Sequence, residues 1–341
     1  MNFTFSKSQV NAAGLVIRDH KSLSDLGMDD ALNVLGEWRS CQAYPLQVAY
    51  MKLRERAKRV DSRTTVSQRL KRVPSIITKL QRNKNMKLST VQDIGGCRAV
   101  VADIPAVDRL TRQYGSPIRD YIEHPKPDGY RSVHFIDPYE PSDAKYERLL
   151  GRRTEVQVRT RLQHAWATAV ETVDSILGQR LKTGGGDTDW KRFFALASGY
   201  IAHKEKCPSV PGTPEDIGDL QNELRHLADK LKVFMKLDGM SASVQVLNSF
   251  GTAVHKIGPH KIQEYILVLD VEKKQIEPHG FTEAMLPIIA ERYLQLEKEN
   301  FGNPNIQVVQ VKVGTAKALK KAYPNYYLSA LEFLRVIKEV L

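Results

Sequence analysis

The chain of 341 residues has little cysteine: only Cys41, Cys97 and Cys207. These three lie far apart in the sequence, which excludes a disulfide framework and a CxxC zinc pair. No apolar run reaches the roughly eighteen residues of a membrane-spanning helix, and the first residues lack the pattern of a secretory signal. We therefore predict a cytoplasmic protein that does not insert into a membrane.

The common nucleotide-binding motifs are also missing. GxxxxGK[ST] does not occur, which excludes a P-loop, and the absence of GxGxxG speaks against a Rossmann site. HExxH does not occur either, and His255, His260 and His279 are scattered over a loop and strand region. Zinc is therefore not expected.

Positive charge is what the sequence does have, concentrated in one block. The 51 Lys and Arg residues exceed the 39 Asp and Glu residues, giving a formal net charge of +12. Residues 51–100 alone hold 14 of the basic and three of the acidic side chains. Such a block favours a polyanionic partner, a nucleotide or a nucleic acid. A solvated helix face is the alternative.

Hydrophobic periodicity predicts both helices and short strands. Helical spacing recurs over residues 28–60 with a new start near Pro45, after Pro74, and over 106–114, 162–181, 190–204 and 214–235. Strand-like runs occupy 97–101, 133–136 and 154–159. Their irregular mixture predicts an α+β fold with a mixed β-sheet.

The chain divides at a proline-rich stretch, residues 207–216. We predict a first domain over residues 1–205, a linker with a helical connection over 206–258, and a small C-terminal α/β domain over 259–341. In the last, strands are predicted at 265–270, 274–279 and 306–313 and helices at 281–300 and 315–341.

Polar side chains stand at the ends and on one face of the predicted strands. Asp93 directly precedes the first strand, where Asp-Ile-Gly-Gly could also form an ordinary turn. Glu155, Gln157 and Arg159 share one face of a strand whose other face carries Val156 and Val158. Because side chains alternate along a strand, the first face is either solvent-exposed or a polar site.

The segment Lys126-Pro-Asp-Gly-Tyr130 is either a surface turn or a rigid loop that offers a lysine and an aromatic ring to a nucleotide. Two separated acids, Asp93 and Glu155, could share one Mg²⁺, which prefers oxygen ligands and a substrate phosphate. Together with the basic block, these features are typical of phosphoryl transfer, which needs positioning and charge neutralisation.

Four motifs, in order over roughly residues 45–180, resemble the RelA/SpoT family of alarmone synthetases. They are Arg69-x-Lys71…Lys79, Asp93-x-x-Gly96-x-Arg98, Lys126-Pro-Asp-Gly-Tyr130-Arg-Ser-Val-His134, and Glu155-Val-Gln157-Val-Arg159-Thr160 running into Ala165-Trp166-Ala167…Glu171. The resemblance implies a nucleotidyltransferase-like mixed sheet flanked by helices. It also implies an enzyme that transfers the β,γ-pyrophosphate of ATP to a ribose 3′-hydroxyl.

The resemblance implies a role for each matched residue on the donor side. Asp93 and Glu155 would bind Mg²⁺, and Glu155 could instead be the general base on the 3′-hydroxyl. The cationic residues would hold ATP, with guanidinium groups on both faces of the adenine and ammonium groups on the phosphates. These are Arg69 and Arg98 for the adenine, and Lys71 and Lys79 for the phosphates.

On the acceptor side, the resemblance implies that Tyr130 stacks on the acceptor base and that Lys126 holds acceptor phosphate. The acceptor pocket would also be lined by His134, Gln157 and Arg159. Thr172 stands where many relatives have histidine, which leaves open any acceptor contact made from that position.

A second resemblance rests on Tyr323-Pro-Asn-Tyr326, a YxxY element. It is similar to the CapRel branch of fused toxin–antitoxin small alarmone synthetases. That resemblance implies a C-terminal domain whose tyrosines obstruct adenine binding, a 3′ CCA end of tRNA as acceptor, and release by a phage capsid protein. The alternative is that both tyrosines are core aromatics around a kink at Pro324.

The motifs and the two resemblances leave three candidate functions. The first is a self-inhibited tRNA pyrophosphokinase, a toxin that blocks translation in anti-phage defence. The second is synthesis of (p)ppGpp from GDP or GTP, and the third is a catalytically silent nucleotide- or RNA-binding regulator. The first needs basic side chains beyond the nucleotide site to grip a tRNA. The candidates are Lys52, Arg56, Arg59, Arg152 and Arg153.

Overall fold

A computed structural model describes most of the chain. The described residues are 5–19, 26–177, 181, 186–231, 233–234, 256–257, 260–270, 275–301, 303, 306–312 and 331–340. Tyr323 and Tyr326 lie outside these residues. Over the described part, no helix has the length and apolar character needed to cross a lipid bilayer. The three cysteines are free thiols.

The helices of the first two thirds of the chain surround one sheet. They are α1 (Lys7–Asp19), α2 (Met28–Ser40), α3 (Ala43–Val60), α4 (Val73–Arg82), α5 (Ile104–Thr111), α6 (Arg161–Leu177), α7 (Thr188–Glu205) and α8 (Ile217–Lys230). Proline stands in the first turn of both α4 and α5, where a backbone N–H would have no helical partner. Asp103 caps α5 by accepting a hydrogen bond from the Ala106 N–H.

The sheet has five strands in the order β1-β2-β5-β4-β3. They are β1 (Thr65–Leu70), β2 (Gly95–Val101), β3 (Arg119–Asp120), β4 (Val133–Pro138) and β5 (Arg153–Thr160). β2 and β5 run parallel, and every other neighbouring pair is antiparallel. The predicted α+β fold with a mixed sheet is therefore confirmed.

The two outer strands, β1 and β3, were not predicted. β1 reads Thr-Val-Ser-Gln-Arg-Leu, and only Val66 and Leu70 in it are apolar, so its period of two is not visible in a hydrophobicity pattern. It nevertheless pairs with β2 along its whole length, which sets Arg69 opposite Gly96. β3 has only two residues.

The two faces of the sheet differ in chemistry. One face carries Cys97, Ala99, Phe135, Val156 and Val158, which are buried in a core with apolar residues of α3 and α5. Side chains alternate along each strand, so the residues between these point to the opposite face. That opposite face is polar and carries the candidate site.

A C-terminal unit forms around a second sheet. Its elements are β6 (Lys256–Ile257), β7 (His260–Asp270), β8 (Gln275–Thr282), α9 (Ile289–Glu299) and β9 (Ile306–Lys312). β7 lies between β8 and β9 and is antiparallel to both. The predicted strands are confirmed. The predicted helix begins at Glu283, because β8 runs to Thr282, and its first part, Glu283–Ile288, is a 3₁₀-helix that contains Pro287.

The last described helix, α10 (Leu331–Lys338), packs away from the C-terminal unit. Phe333, Leu334 and Ile337 are buried in one core with α6, α7 and α8. The rest of the helix predicted over 315–341 falls largely outside the described residues. The three-part division at 205 and 258 stays a prediction.

Candidate active site

The pairing of three neighbouring strands gathers the predicted polar residues on one face. In the parallel pair, Arg98 of β2 lies beside Gln157 of β5, and Gly96 beside Glu155. In the antiparallel pair, His134 of β4 lies beside Gln157. Glu155, Gln157 and Arg159 therefore form the polar row that the alternating sequence predicted, and β2 and β4 extend it on both sides.

Asp93 lies just before β2 and contacts two ammonium groups. Lys71 Nζ lies 2.8 Å from Oδ2, and Lys79 Nζ lies 2.9 Å from Oδ1. Burial opposes ionisation of the carboxyl, but the two lysines outweigh it and hold the pKa of Asp93 below its usual value. Burial lowers the pKa of Lys71, although Asp93 opposes that shift. The site thus begins with an ionised carboxylate between two cations.

Glu155 lies in the middle of the polar row and accepts two hydrogen bonds. His134 Nδ1 lies 3.1 Å from Oε1, and Gln157 Nε2 lies 2.8 Å from Oε2. Burial opposes ionisation here too, but the contacts with His134 and Gln157 lower the pKa of Glu155. Glu155 is therefore an ionised, oriented carboxylate.

A hydrogen-bond chain runs through the site. Arg159 Nη2 donates to Tyr130 Oη at 2.9 Å, and Tyr130 Oη lies 2.8 Å from His134 Nε2. The other ring nitrogen of His134, Nδ1, contacts Glu155 Oε1. Tyr130 and His134 are thereby coupled to the carboxylate.

The predicted turn at Lys126 is present and positions Tyr130. Gly129 has φ +90, which favours glycine, and a Cβ there would lie 2.8 Å from the Ser198 side chain and 2.9 Å from Trp166. Lys126 Nζ lies 4.5 Å from the centroid of the Tyr121 ring and 5.2 Å from that of Tyr130. The loop therefore presents an ammonium group beside two aromatic rings.

Two pockets meet at the two carboxylates. A narrow pocket is lined by Ser67, Gln68, Arg69, Lys71, Asp93, Gly96, Cys97, Arg98, Glu155 and Gln157. A larger cavity of about 410 Å³ shares Arg69, Asp93, Arg98, Glu155 and Gln157 with it, and adds Tyr121, Lys126, Tyr130, His134, Arg159 and the apolar wall of Trp166, Val170 and Phe194. The arrangement suits two substrates that meet at Asp93 and Glu155.

The donor set at this junction fits Mg²⁺. Mg²⁺ uses one or two protein carboxylates together with substrate phosphates and water, and Asp93 and Glu155 supply two ionised carboxylates in one pocket. Among the residues that the structure describes, no three His, Cys, Asp or Glu side chains are grouped to hold a metal by themselves. Substrate phosphate would have to complete the coordination.

The five basic residues predicted to grip tRNA are not brought together at these pockets. α3 packs against the apolar face of the sheet. Lys52, Arg56 and Arg59 therefore lie on the opposite side of the sheet from the pockets. Each is engaged locally, Lys52 with Asp137 at 2.9 Å, Arg56 over the Tyr114 ring and Arg59 with Glu55.

The other two basic residues also lie apart from the pockets. The Arg152 guanidinium stacks on Trp38, 3.6 Å from the ring centroid. Arg153 is exposed at the start of β5, opposite Pro138. The +11 excess of residues 51–100 therefore lies partly on the far side of the sheet from the site.

The C-terminal unit contacts the donor side of the site through Glu297 of α9. Its carboxylate pairs with Arg39 Nη1 at 3.0 Å and accepts a hydrogen bond from the Val73 N–H, at the start of α4, at 3.2 Å. Arg39 also donates to the Lys71 carbonyl at 2.9 Å. A cleft of about 780 Å³ beside this contact is lined by Lys71, Lys79 and Lys126 and by Phe301 of the C-terminal unit.

The sequence analysis assigned no role to several residues of the site. Tyr121 and Trp166 line the larger cavity, and His164 contacts Arg98. Tyr121 precedes the predicted turn by five residues, and an aromatic near a nucleotide loop is a signal that could have found it. Arg39 and Glu297 carry no such signal, because their contact joins residues 258 apart.

Residues 68–173 match the family model described as a region found in RelA / SpoT proteins. The chain is 32% identical over 130 residues to an uncharacterized protein of Mycobacterium tuberculosis, covering 36% of this chain and 43% of that protein. It is 33% identical over 113 residues to the GTP pyrophosphokinase YwaC of Bacillus subtilis, covering 29% of this chain and 52% of that protein. The chain spans about half the length of these curated relatives.

Solved structures similar to this chain include small alarmone synthetase 1 from Bacillus subtilis, with TM-score 0.41 and 21% identity over 50% of this chain and 91% of that one. A GTP pyrophosphokinase family protein from Streptococcus pneumoniae has TM-score 0.40 and 24% identity over 49% of this chain and 87% of that one. Residues 68–173 therefore form a RelA/SpoT-type region of this chain.

Proposed function

We propose that the protein is an ATP-dependent pyrophosphokinase that transfers the β,γ-pyrophosphate of ATP to a ribose 3′-hydroxyl. The observation that carries the proposal is the meeting of two pockets at the ionised carboxylates of Asp93 and Glu155. One pocket is cationic and the other is aromatic, which suits a triphosphate donor and a nucleotide acceptor.

On the donor side, Arg69 and Arg98 line both pockets and hold the adenine by stacking on its faces. Lys71 and Lys79, which pair with Asp93 in the structure, move onto the ATP phosphates. Asp93 and Glu155 would hold Mg²⁺, which supplies positive charge to the phosphate oxygens when bound. With ATP bound, the two lysines would contact phosphate in place of Asp93, whose carboxylate would then be available to hold the metal.

Glu155 also acts on the acceptor. Its carboxylate takes the proton of the 3′-hydroxyl, the 3′ oxygen attacks the β-phosphorus, and the bond from that phosphorus to the α-phosphate oxygen breaks, releasing AMP. Tyr130 stacks on the acceptor base, and Lys126 binds acceptor phosphate. His134, Gln157 and Arg159 line the acceptor pocket and keep the Glu155 carboxylate oriented through their hydrogen bonds.

For the acceptor we propose the 3′ CCA end of tRNA, so that the enzyme stops translation as a toxin in anti-phage defence. This part rests on the resemblance to the CapRel branch. GDP or GTP is the second candidate, and the similarity to a GTP pyrophosphokinase of Bacillus subtilis favours it. A silent regulator is disfavoured, because Asp93, Glu155, Arg69, Lys71 and Arg98 line the pockets and Lys79 contacts Asp93.

We propose further that the C-terminal unit inhibits the site and that an external partner, a phage capsid protein in the resembling branch, releases it. The contact of Glu297 with Arg39 and with the Val73 N–H supports this, because it ties the unit to the corner that carries Lys71 and leads to Lys79. Tyr323 and Tyr326 stay predicted participants in the inhibition.

The test offers tRNA, GDP and GTP side by side to the full-length Glu297→Gln protein, in which the proposed inhibitory contact is weakened, with ATP labelled at the γ-phosphate. We expect label on tRNA. Label on GDP or GTP alone would replace tRNA with the second candidate. Asp93→Asn should lower the rate at least about 100-fold, the loss typical of a group that stabilises transition-state charge. Asp108→Asn, an exposed change on α5 behind the sheet, is the matched control.

A further inference from the structure

His164 lies in the first turn of α6 and contacts a residue of the site. Its Nδ1 lies 3.3 Å from Nη1 of Arg98, on the polar face of β2. A guanidinium has donors and no acceptor, so Nδ1 must accept this hydrogen bond. The proton of a neutral imidazole is then on Nε2.

The surroundings of His164 keep the imidazole neutral. Burial lowers its pKa well below 6.5, and the neighbouring cations Arg98 of β2 and Arg159 of β5 lower it further. A proton on His164 would place a third positive charge among these two guanidinium groups. The ring therefore stays a hydrogen-bond acceptor at neutral pH.

Resting on the proposed function, we propose that His164 is a positioning residue that holds the Arg98 guanidinium in the orientation needed to stack on the donor adenine. An arginine side chain has about 2 kcal/mol of rotamer entropy. A fixed acceptor restricts those rotamers before ATP arrives, so that less of the binding free energy goes into ordering the side chain. His164 acts through Arg98, which lines both pockets.

Two substitutions separate this role from packing. His164→Leu removes the acceptor and keeps an apolar side chain, whereas His164→Asn places an amide oxygen near the position of Nδ1. We measure the Kd of a non-hydrolysable ATP analogue by calorimetric titration of the full chain. The Kd should rise about tenfold in His164→Leu, in line with the loss of a hydrogen bond to a charged group. It should stay near the wild-type value in His164→Asn.

A pH series gives an independent readout. As the pH falls toward the pKa of His164, which burial and the two arginines hold well below 6.5, protonation of His164 replaces an accepted hydrogen bond with repulsion of Arg98. Affinity of the wild type should therefore fall more steeply with acid than affinity of His164→Asn, which does not titrate. Parallel pH profiles of affinity for the wild type and His164→Asn would overturn the proposal. This comparison does not require His164→Leu to fold.

Arg98→Ala distinguishes failure of this inference from failure of the proposed donor site. If Arg98→Ala weakens binding and His164→Leu binds like the wild type, the positioning role is overturned while the donor site stands. If Arg98→Ala binds the analogue as well as the wild type, the donor assignment fails and the role of His164 fails with it.

Discussion

Glu297 and Arg39 form an ion pair across the boundary between the C-terminal unit and the first helices, with 3.0 Å between Oε2 and Nη1. Both are buried, with 9% and 3% of their surface exposed. Tyr293 completes the contact: its hydroxyl donates to Glu297 at 3.0 Å, and its ring lies 4.7 Å from the Arg39 guanidinium. The C-terminal unit is therefore attached to the donor side by charge as well as by apolar packing.

Weakening this pair should activate the enzyme. Removing one partner of a buried ion pair destabilises by about 3 kcal/mol, which shifts an equilibrium between attached and released states about 100-fold. Glu297→Gln should raise the initial rate of pyrophosphate transfer. Glu291→Gln, an exposed change on the same helix, should not. Equal rates in Glu297→Gln and the wild type would show that the contact does not inhibit.

The Tyr130 hydroxyl should matter apart from its ring. Tyr130→Phe keeps the stacking surface but breaks the chain from Arg159 through Tyr130 to His134 and Glu155. We expect kcat to fall about tenfold, the scale of one hydrogen bond to a charged group, with a smaller change in the KM of the acceptor. Tyr130→Ala should raise that KM as well. A kcat of Tyr130→Phe equal to that of the wild type would rule out a role for the hydroxyl.

Acid should destabilise the fold through Asp93. Its pKa is lower in the folded state than the ordinary value of 3.8, so the unfolded chain binds the proton first as the pH falls. The stability that Asp93 contributes is complete above its unfolded pKa and is lost as the pH drops toward its folded pKa. Denaturant titrations at a series of pH values give the free energy of unfolding. Between the unfolded and folded pKa of Asp93, this free energy should fall more for the wild type than for Asp93→Asn. If the free energy of unfolding changed equally with pH in both proteins, Asp93 would not be the ionised carboxylate that the two lysines stabilise.

The C-terminal helix α10 should be needed for the stability of the first domain. Phe333 is fully buried among residues of α7, with its ring centroid 5.9 Å from that of Phe194. Phe333→Ala should cost about 3 to 5 kcal/mol of the free energy of unfolding, the range for a large buried side chain. Phe301→Ala, at an exposed aromatic, should cost far less. A small loss in Phe333→Ala would mean that the helix is dispensable.

Local patterns were enough to predict the centre of the site. Glu155, Gln157 and Arg159 alternate with two valines, so the sequence alone indicates a polar face, and the Pro-Asp-Gly turn before Tyr130 has its own signature. The pairing of Asp93 with Glu155 was predicted from the two acids and the basic block, and the resemblance to a family added a role for each residue.

Long-range geometry was not available from the sequence. The side of the sheet that α3 covers depends on tertiary packing. The sequence therefore could not show that Lys52, Arg56 and Arg59 lie on the opposite side of the sheet from the site. The hydrophobic pattern of α10 indicates a helix but does not reveal that its partners are α6 to α8. Glu297 looks like an ordinary residue of an amphipathic helix until Arg39 is brought against it.

In the proposed reaction, pyrophosphate and not a single phosphate moves to the acceptor. The most direct test follows adenine-labelled ATP and γ-labelled ATP in parallel with the Glu297→Gln protein and an acceptor. We predict that AMP forms in equal amount to γ-label on the acceptor, and that a 3′-deoxy acceptor yields neither. Formation of ADP in place of AMP, or label on the 3′-deoxy acceptor, would contradict the account.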